Sequence, residues 1–356
     1  MKRTTLTMTL CFVLSIMVVT LLVGLSDAMK RRHDSFLRLF PAHVTEEEGS
    51  LDLVYPGYFI AGISPSHIYL GNSLYPLHVL SVDLGLTDTV HISLNIKGVE
   101  KQKFWSLKVA IRPPYFFAFD GVIPRIYWGQ MSDWKGERFP YDREYFQGFE
   151  PLTDRLIGIR SIDGKTGVSM LGTISLDTPH YRFNTDILKK QVDGIFCTEG
   201  IMKYNNRRNK LYYVYRYRNG IMEIDPMLNL TNYGHTIDTI QMAKISIDTI
   251  DSEGSTTFSK PPVQVNKRIA TEGNLLFVNS AVLARNEAST AHTNADVIDV
   301  YDLRDMSYRF SFYLHKYRGR EEIRDLALTD NKLVVLFESH MQVYRLVDKY
   351  FEDTAL

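Results

Sequence analysis

The stretch that decides the fold is Asn274-Leu275-Leu276-Phe277-Val278, followed after a polar segment by Asp296-Val297-Ile298-Asp299-Val300-Tyr301-Asp302. Both runs are rich in β-branched, aromatic and other apolar residues, which favour strands, and the second run ends in an acidic residue. The same module recurs at residues 67–83, 210–225 and 331–346. Strands that recur every few tens of residues with no helix between them predict a β-propeller.

Strand-rich units follow one another between Tyr58 and Leu346. Each unit holds about four strands, and radial packing of such small sheets covers their faces and leaves only short edges. We therefore predict an all-β propeller of six blades, with seven blades as the alternative and a pair of all-β sandwiches as the competing fold. The strand Tyr58–Ile63 is expected to close the ring beside the last unit.

The composition argues against a role in nucleic-acid binding. The chain has 356 residues, a formal net charge of zero and a pI near 7.2, whereas phosphate binding needs a clustered basic surface. Two short runs of like charge, Lys30-Arg31-Arg32 and Glu46-Glu47-Glu48, are interpreted as solvated surface. No nucleic-acid partner is expected.

The N-terminus carries an export or anchoring signal. Residues 4–26 are uncharged and residues 6–25 are dominated by apolar side chains, and about twenty such residues can cross a hydrocarbon core of about 30 Å. We favour an uncleaved single-pass anchor, because cleavage would leave Lys30-Arg31-Arg32 at the start of the mature chain. The alternative is a signal peptide cleaved after Ser26-Asp27-Ala28, which would release the protein into the periplasm.

The charges that flank this segment bear on its orientation. Lys2 and Arg3 precede it and three basic residues follow it, so the positive-inside rule taken literally favours a cytoplasmic globular part. We nevertheless expect a membrane-anchored protein whose globular part is extracytoplasmic, on the periplasmic side. A signal-like start before a Tyr-rich β domain is the usual arrangement of exported proteins.

These observations divide the chain into four parts: a signal anchor or signal peptide at 1–28, a juxtamembrane linker at 29–50, the propeller at 51–350 and a tail at 351–356. Within the linker, residues 34–40 are expected to form a short amphipathic helical turn that Pro41 stops. The polar segments 251–262 and 287–294 are expected to be long surface loops.

No catalytic or ligand-binding motif stands out. The ten histidines are dispersed without a metal-binding spacing, and the sequence has no Gly-rich phosphate loop and no nucleophile elbow. Cys11 lies in the apolar segment, and Cys197 is interpreted as a buried, inert thiol. Residues 161–166 resemble part of the Asp-box turn of sialidase-type propellers, but the closing aromatic residue is missing, and Asp163-Gly164 favours an ordinary hairpin turn. We assign no catalytic residue, no metal ligand and no cofactor.

The modules carry a resemblance to a known class of proteins. Leu333-Val334-Val335-Leu336 and residues 297–302 in particular resemble the strands of six-bladed propellers of the NHL/TolB-like kind, and the resemblance covers roughly residues 55–347. The chain is also similar to uncharacterised envelope propellers of Bacteroidota-type bacteria. The class includes binding modules, scaffolds and a few hydrolases and lyases.

The favoured function is that of a non-enzymatic binding or scaffold propeller, anchored at the membrane and facing outside the cytoplasm. Its ligand, a small molecule of unknown identity, is expected at one end of the central channel, where loops from all blades converge. The expected partner is another envelope protein or a membrane protein, with the N-terminal helix holding the chain to the membrane. The alternative is a hydrolase or lyase that acts on a sugar or lactone at the channel mouth.

Overall fold

The computed structural model describes residues 8–22, 35–98, 103–141, 143–177, 180–250, 255–288, 290–318 and 321–351. The helices are α1 at 8–22, α2 Ala291–Asn294 and α3 Asp348–Phe351. The strands are β1 Thr45–Asp52, β2 Tyr58–Ile63, β3 His67–Asn72, β4 His78–Asp83, β5 Thr89–Ser93, β6 Asn95–Ile96, β7 Leu107–Arg112, β8 Tyr115–Asp120, β9 Arg125–Gln130, β10 Lys135–Phe139, β11 Phe146–Pro151, β12 Leu156–Ile162, β13 Ser169–Ser175, β14 His180–Asn184, β15 Gly200–Asn205, β16 Lys210–Tyr215, β17 Gly220–Ile224, β18 Leu230–His235, β19 Ile247–Ile250, β20 Ser255–Phe258, β21 Asn266–Glu272, β22 Leu275–Ser280, β23 Ala295–Asp302, β24 Ser307–His315, β25 Asp325–Thr329, β26 Lys332–Leu336 and β27 His340–Leu346.

Six of the sheets are the blades of a propeller. Blade 1 is β2–β5, blade 2 is β7–β10, blade 3 is β11–β14, blade 4 is β15–β18, blade 5 is β21–β24, and blade 6 is β25–β27 together with β1. The short strand β6 adds a fifth, parallel strand to the outer edge of blade 2. The predicted six-bladed all-β propeller, preceded by one N-terminal helix, is confirmed, and neither seven blades nor a sandwich pair describes the chain.

The core consists of six apolar clusters, one at each junction between neighbouring blades. At the junction of blades 5 and 6, for example, Phe277 and Val335 are both fully buried. The middle strands of a blade are covered on both faces, so their sequences are continuous apolar runs and do not alternate. This is why the modules quoted above stand out in the sequence.

The ring is closed by β1, which the sequence analysis placed in the linker. β1 pairs antiparallel with β27, from Thr45 opposite Leu346 to Asp52 opposite His340, and is the outermost strand of blade 6. The predicted closing strand β2 is instead the innermost strand of blade 1, so that prediction was wrong. An outermost strand exposes much of its surface and needs no apolar face, and the polar sequence of β1 therefore gave no strand signal.

Residues 35–44, here called the strap, run without regular secondary structure along the outer edge of blade 5 before β1 begins. The strap is bonded through its backbone, since the Ser311 N–H donates to the Leu39 carbonyl (2.7 Å) and the Arg285 N–H donates to the Phe36 carbonyl (3.0 Å). The helical turn expected here is not formed over residues 35–40. These hydrogen bonds to blade 5 take the place of those that a helix would make.

Arg38 anchors the strap in the protein interior. Its guanidinium pairs with Asp299 and Glu287, donates to the Val282 carbonyl (2.8 Å) and donates to Ser280 Oγ (2.8 Å). The side chains of Arg38 and Glu287 are fully buried. Glu287 is therefore a buried partner of the strap residue Arg38, although the sequence analysis placed it in a surface loop.

One further expectation about a loop was incorrect. The segment expected as a loop at 251–262 contains β20, which pairs with β19 in a separate hairpin, and residues 251–254 lie outside the described part. Phe258 packs this hairpin against the propeller, because the centroid of its ring lies 4.4 Å from that of Phe196 and 5.8 Å from that of Tyr217. The segment 287–294 contains the short helix α2.

Among the described residues, no helix has the length and apolarity needed to span a lipid bilayer. Both ends of the proposed anchor at 6–25, the cleavage motif Ser26-Asp27-Ala28 and the basic cluster Lys30-Arg31-Arg32 lie outside the described residues, as do residues 352–356 of the tail.

Candidate functional site: the central channel

The innermost strands of the six blades surround a channel. β2, β7, β11, β15, β21 and β25 contact one another in that order around a ring, and the cavity between them has a volume of about 610 Å3. A cavity of this size can hold a small organic molecule.

The two ends of the channel differ in the residues that they present. Each blade is an antiparallel meander of four strands, so all six innermost strands run in the same direction. We call the end where these strands begin the N-face and the end where they finish the C-face. Residues early in β7, β11 and β25 thus lie toward the N-face, and residues late in β7, β11 and β15 lie toward the C-face.

The channel wall has an excess of positive charge, although the whole chain is neutral. Its charged lining residues comprise five basic and three acidic side chains: Lys108, Arg112, Arg160, Lys203, Arg216, Glu150, Glu199 and Asp325. Charges collected in a cleft with low-dielectric walls produce a focused potential, so this wall is favourable to anions.

Lys203 lies in the middle of the channel, as the fourth residue of β15. Within the described residues, its ammonium group has no hydrogen bond and no carboxylate within 4.0 Å. Burial acts to lower the pKa of Lys203, but the nearby charges of Asp325 and Glu150 outweigh it and raise that pKa. The ammonium group is therefore charged at neutral pH, and its donors point to no protein acceptor.

The two carboxylates whose charges act on Lys203 accept hydrogen bonds from backbone N–H groups of the channel wall. Glu150 Oε1 accepts a hydrogen bond from the Tyr204 N–H (2.9 Å), and Asp325 accepts hydrogen bonds from the N–H groups of Ile60 (3.2 Å) and Leu326 (2.9 Å). Burial raises the pKa of Glu150, against the opposing effects of Lys203, the Tyr204 N–H and Arg112. The wall thus holds both carboxylates without bringing either against the ammonium group.

The N-face carries most of the basic groups. Arg160 Nη2 donates to Gln147 Oε1 (2.6 Å), and Arg216 Nε pairs with Glu199 Oε1 (2.9 Å). Lys108, also on this side, is exposed. A solute that enters from the N-face therefore passes three basic side chains and two acidic ones, Glu199 and Asp325, before it reaches Lys203.

The C-face is built around a stacked pair. The guanidinium of Arg112 lies 5.3 Å from the centroid of the Tyr204 ring, a distance suited to a cation–π contact. Arg112 also donates weakly to the Pro151 carbonyl (3.4 Å). An arginine guanidinium and a phenol ring therefore line the C-face end of the channel.

A second, smaller cavity of about 290 Å3 lies on blade 1. The three tyrosines Tyr55, Tyr58 and Tyr75 line it together with His78 and His91. The Tyr55 and Tyr75 rings meet edge to face at 6.1 Å. We call this cavity the blade 1 pocket.

The residues singled out in the sequence lie away from the channel. No histidine is found in the described channel lining, and no group of three or more His, Cys, Asp or Glu among the described residues could hold a metal ion. Cys197 is buried, as expected, and its thiol donates to the Asp193 carbonyl (2.7 Å). Asp163 accepts from the Lys165 N–H (3.0 Å) in the hairpin turn between β12 and β13, in agreement with the expected ordinary turn.

The sequence analysis did not identify the channel residues. Their signal was a charged side chain inside the first strand of a unit, as with Lys108, Lys203 and Asp325. Such a residue is unusual in a strand that is otherwise apolar, and it is explained when the strand borders a water-filled channel.

Two solved structures share this fold. A member of the DUF4221 family from Bacteroides vulgatus superposes with a TM-score of 0.53 at 12% identity, over 85% of this chain and 97% of that one. A candidate exported protein from Bacteroides fragilis superposes with a TM-score of 0.53 at 11% identity, over 88% of this chain and 98% of that one. No family model matches the sequence, and no curated protein matches it. The predicted resemblance to envelope propellers of Bacteroidota-type bacteria is confirmed at the level of the fold.

Proposed function

We propose that the protein is a non-enzymatic binding or scaffold propeller that holds a small solute in its central channel. The observation that carries this proposal is the unpaired, charged Lys203 in the middle of a channel of about 610 Å3. Lys203 is half-buried in the channel wall, and a charge partly removed from water is stabilised when a ligand of opposite charge binds to it.

The proposed location is the outer side of the cytoplasmic membrane, with the N-terminal apolar segment as an anchor. Two observations support this location: the uncharged run at 4–26 and the similarity in fold to a candidate exported protein. The alternative remains a protein secreted to the periplasm after cleavage of a signal peptide. The proposed macromolecular partner is an envelope or membrane protein.

Native mass spectrometry of the full chain tests solute binding. The wild-type protein should carry a small molecule that is lost in Gln147→Trp, because an indole at the N-face rim obstructs the channel. The matched control is Gln130→Trp, which places the same ring at an exposed position outside the described channel lining. A wild-type protein without a bound solute, or equal retention in both variants, contradicts binding in the channel.

A pull-down from solubilised membranes tests the scaffold role. The full chain should recover at least one envelope or membrane protein that a chain starting at residue 35 also recovers, since the propeller provides the binding surface. Recovery of no protein, combined with turnover of a soluble substrate, would replace the scaffold role with an enzymatic one.

One observation favours the second candidate, a hydrolase or lyase acting on a sugar or lactone. Burial raises the pKa of Glu150 above its usual value, and a raised carboxyl pKa is the direction that a general acid needs. Turnover of a chromogenic glycoside or lactone that is abolished in Glu150→Gln and retained in Glu199→Gln would support this candidate. Equal rates in the two variants would exclude Glu150 as the acid.

A further inference from the structure

We infer that the solute of the central channel carries a carboxylate group, which is held by the ammonium group of Lys203. The inference rests on the proposed function and adds the chemical class of the ligand. It follows from four features of the channel: the free donors of Lys203, the fixed state of the neighbouring carboxylates, the basic N-face and the volume of the cavity.

Lys203 provides the contact. An ammonium group has three donors and no acceptor, and within the described residues none of these donors meets a protein oxygen. A neutral solute could accept one of these hydrogen bonds but would leave the charge unbalanced. An anion satisfies both the donors and the charge, and hydrogen bonds between charged groups are the stronger ones.

The protein does not neutralise Lys203 by direct contact. Glu150 and Asp325 influence its pKa through space. Yet Glu150 Oε1 accepts from the Tyr204 N–H, and the two Asp325 oxygens accept from the N–H groups of Ile60 and Leu326. No carboxylate of the described residues lies within 4.0 Å of the ammonium group. The space beside Lys203 is therefore open to an external carboxylate.

The N-face also favours a negatively charged solute. Lys108, Arg160 and Arg216 lie on this side of the lining, against Glu199, which is paired with Arg216, and Asp325. Basic groups around a cleft raise the local concentration of anions and their rate of entry, and they repel free metal cations. The channel volume of about 610 Å3 then limits the solute to a small organic acid.

The experiment uses two pairs of compounds, each of which matches an organic acid with a neutral counterpart of similar size. The purified full chain is titrated calorimetrically with D-glucuronate and D-glucose, and with succinate and succinamide, at low ionic strength. At least one acid should bind, and its neutral counterpart should bind at least about tenfold more weakly, since a charged hydrogen bond contributes that much or more. Inorganic phosphate is included to separate carboxylates from anions in general.

Four variants locate the site. Lys203→Met keeps the length of the side chain and removes its charge, so it should lower the affinity for the acid at least about tenfold. Lys203→Arg, which keeps the charge, should retain part of that affinity. Lys108→Met at the rim should weaken binding less, with an effect that disappears in high salt. Tyr75→Ala in the blade 1 pocket should leave binding unchanged.

Several results would overturn the inference. Among the compounds, these results are equal binding of acid and neutral counterpart, binding of phosphate but of neither acid, and no binding of either acid. Among the variants, they are loss of binding in Tyr75→Ala, and a Lys203→Met variant that melts at a lower temperature yet binds the acid normally. The last result would make Lys203 a structural residue. If native mass spectrometry still finds a neutral solute that Gln147→Trp loses, the proposed function stands and only the ligand class is wrong.

Discussion

Arg38 and Asp299 lie 261 positions apart in the sequence, and their side chains form a two-pronged ion pair in the protein interior. Arg38 Nε lies 2.7 Å from Asp299 Oδ1, and Nη2 lies 3.0 Å from Oδ2. Ser311 Oγ donates to the same Asp299 oxygen as Arg38 Nε (2.6 Å), so the carboxylate is held both by the strap and by β24. The strap is thereby fixed to the two outer strands of blade 5.

Removing Arg38 should destabilise the whole propeller. Arg38→Met leaves Asp299 and Glu287 buried without their cation, and loss of one partner from a buried pair costs about 3–5 kcal/mol of the free energy of unfolding. Arg345→Met is the control, because its partner Glu46 is exposed and surface pairs contribute about 1 kcal/mol or less. Urea denaturation measures both, and similar losses for the two variants would contradict a structural role for the Arg38 pair.

The stability should depend on pH through Glu287. Burial alone would raise its pKa, but His292, Arg38 and the Ala284 N–H outweigh that effect and lower the pKa from 4.5 to about 2. A lowered pKa in the folded state stabilises the protein above pH 4.5, and this contribution is lost as the pH falls toward 2.

The measurement compares the wild-type protein with Glu287→Gln. Between pH 6 and pH 3 the wild-type protein should lose on the order of 2 kcal/mol more of its free energy of unfolding than the variant does. The other carboxylates are common to both proteins and cancel in the difference. Parallel pH profiles would indicate that Glu287 titrates normally.

Truncation from the N-terminus should separate the strap from the closing strand. A chain that starts at residue 35 should melt like the full chain, and one that starts at residue 45 should be destabilised because it lacks Arg38. A chain that starts at residue 53 also lacks β1, which leaves the edge of β27 unpaired, so it should lose its cooperative transition and aggregate. Size-exclusion chromatography and thermal melting measure the series, and an unchanged transition in the shortest chain would contradict closure by β1.

Gly62 should be required for the contact between the innermost strands of blades 1 and 2. A Cβ at this position would lie 2.0 Å from the Ile111 carbonyl oxygen, so Gly62→Ala should cost about 1–3 kcal/mol. Gly164→Ala is the control, because a Cβ there meets only the end of the Glu144 side chain, at 3.3 Å. Equal stability of the two variants would mean that the strands move apart without cost.

The proposed anchor predicts that the protein stays in the membrane fraction after a carbonate wash and keeps its N-terminal Met1 or Lys2. The apolar contribution to insertion is not electrostatic, with Leu, Ile, Phe and Val each adding roughly −0.3 to −0.6 kcal/mol, so salt should not reverse it. A soluble protein that begins at Met29 would establish a cleaved signal. Protease added to spheroplasts should digest the propeller, and protection would place it in the cytoplasm.

The blades could be predicted from the sequence, whereas the parts that join them could not. Strands covered on both faces, such as β22 and β26, leave unbroken apolar runs. The closing strand β1 is exposed and polar, so nothing local distinguishes it from a linker. The channel residues Glu150, Lys203 and Asp325 were visible as residue types, but only the closed ring brings them together, because they belong to three different blades.

The pairing of β1 with β27 also fixes the order of events during synthesis. About 290 residues must be made after β1 before its partner exists, which takes roughly 15–60 s at typical rates of translation. Throughout this time β1 is a strand without a neighbour, the kind of segment through which chains aggregate. Glu46, Glu47 and Glu48 are exposed along it and repel other copies, and after closure Lys332 and Arg345 pair with Glu48 and Glu46. The same glutamates therefore oppose aggregation of the nascent chain and, after closure, form ion pairs within blade 6.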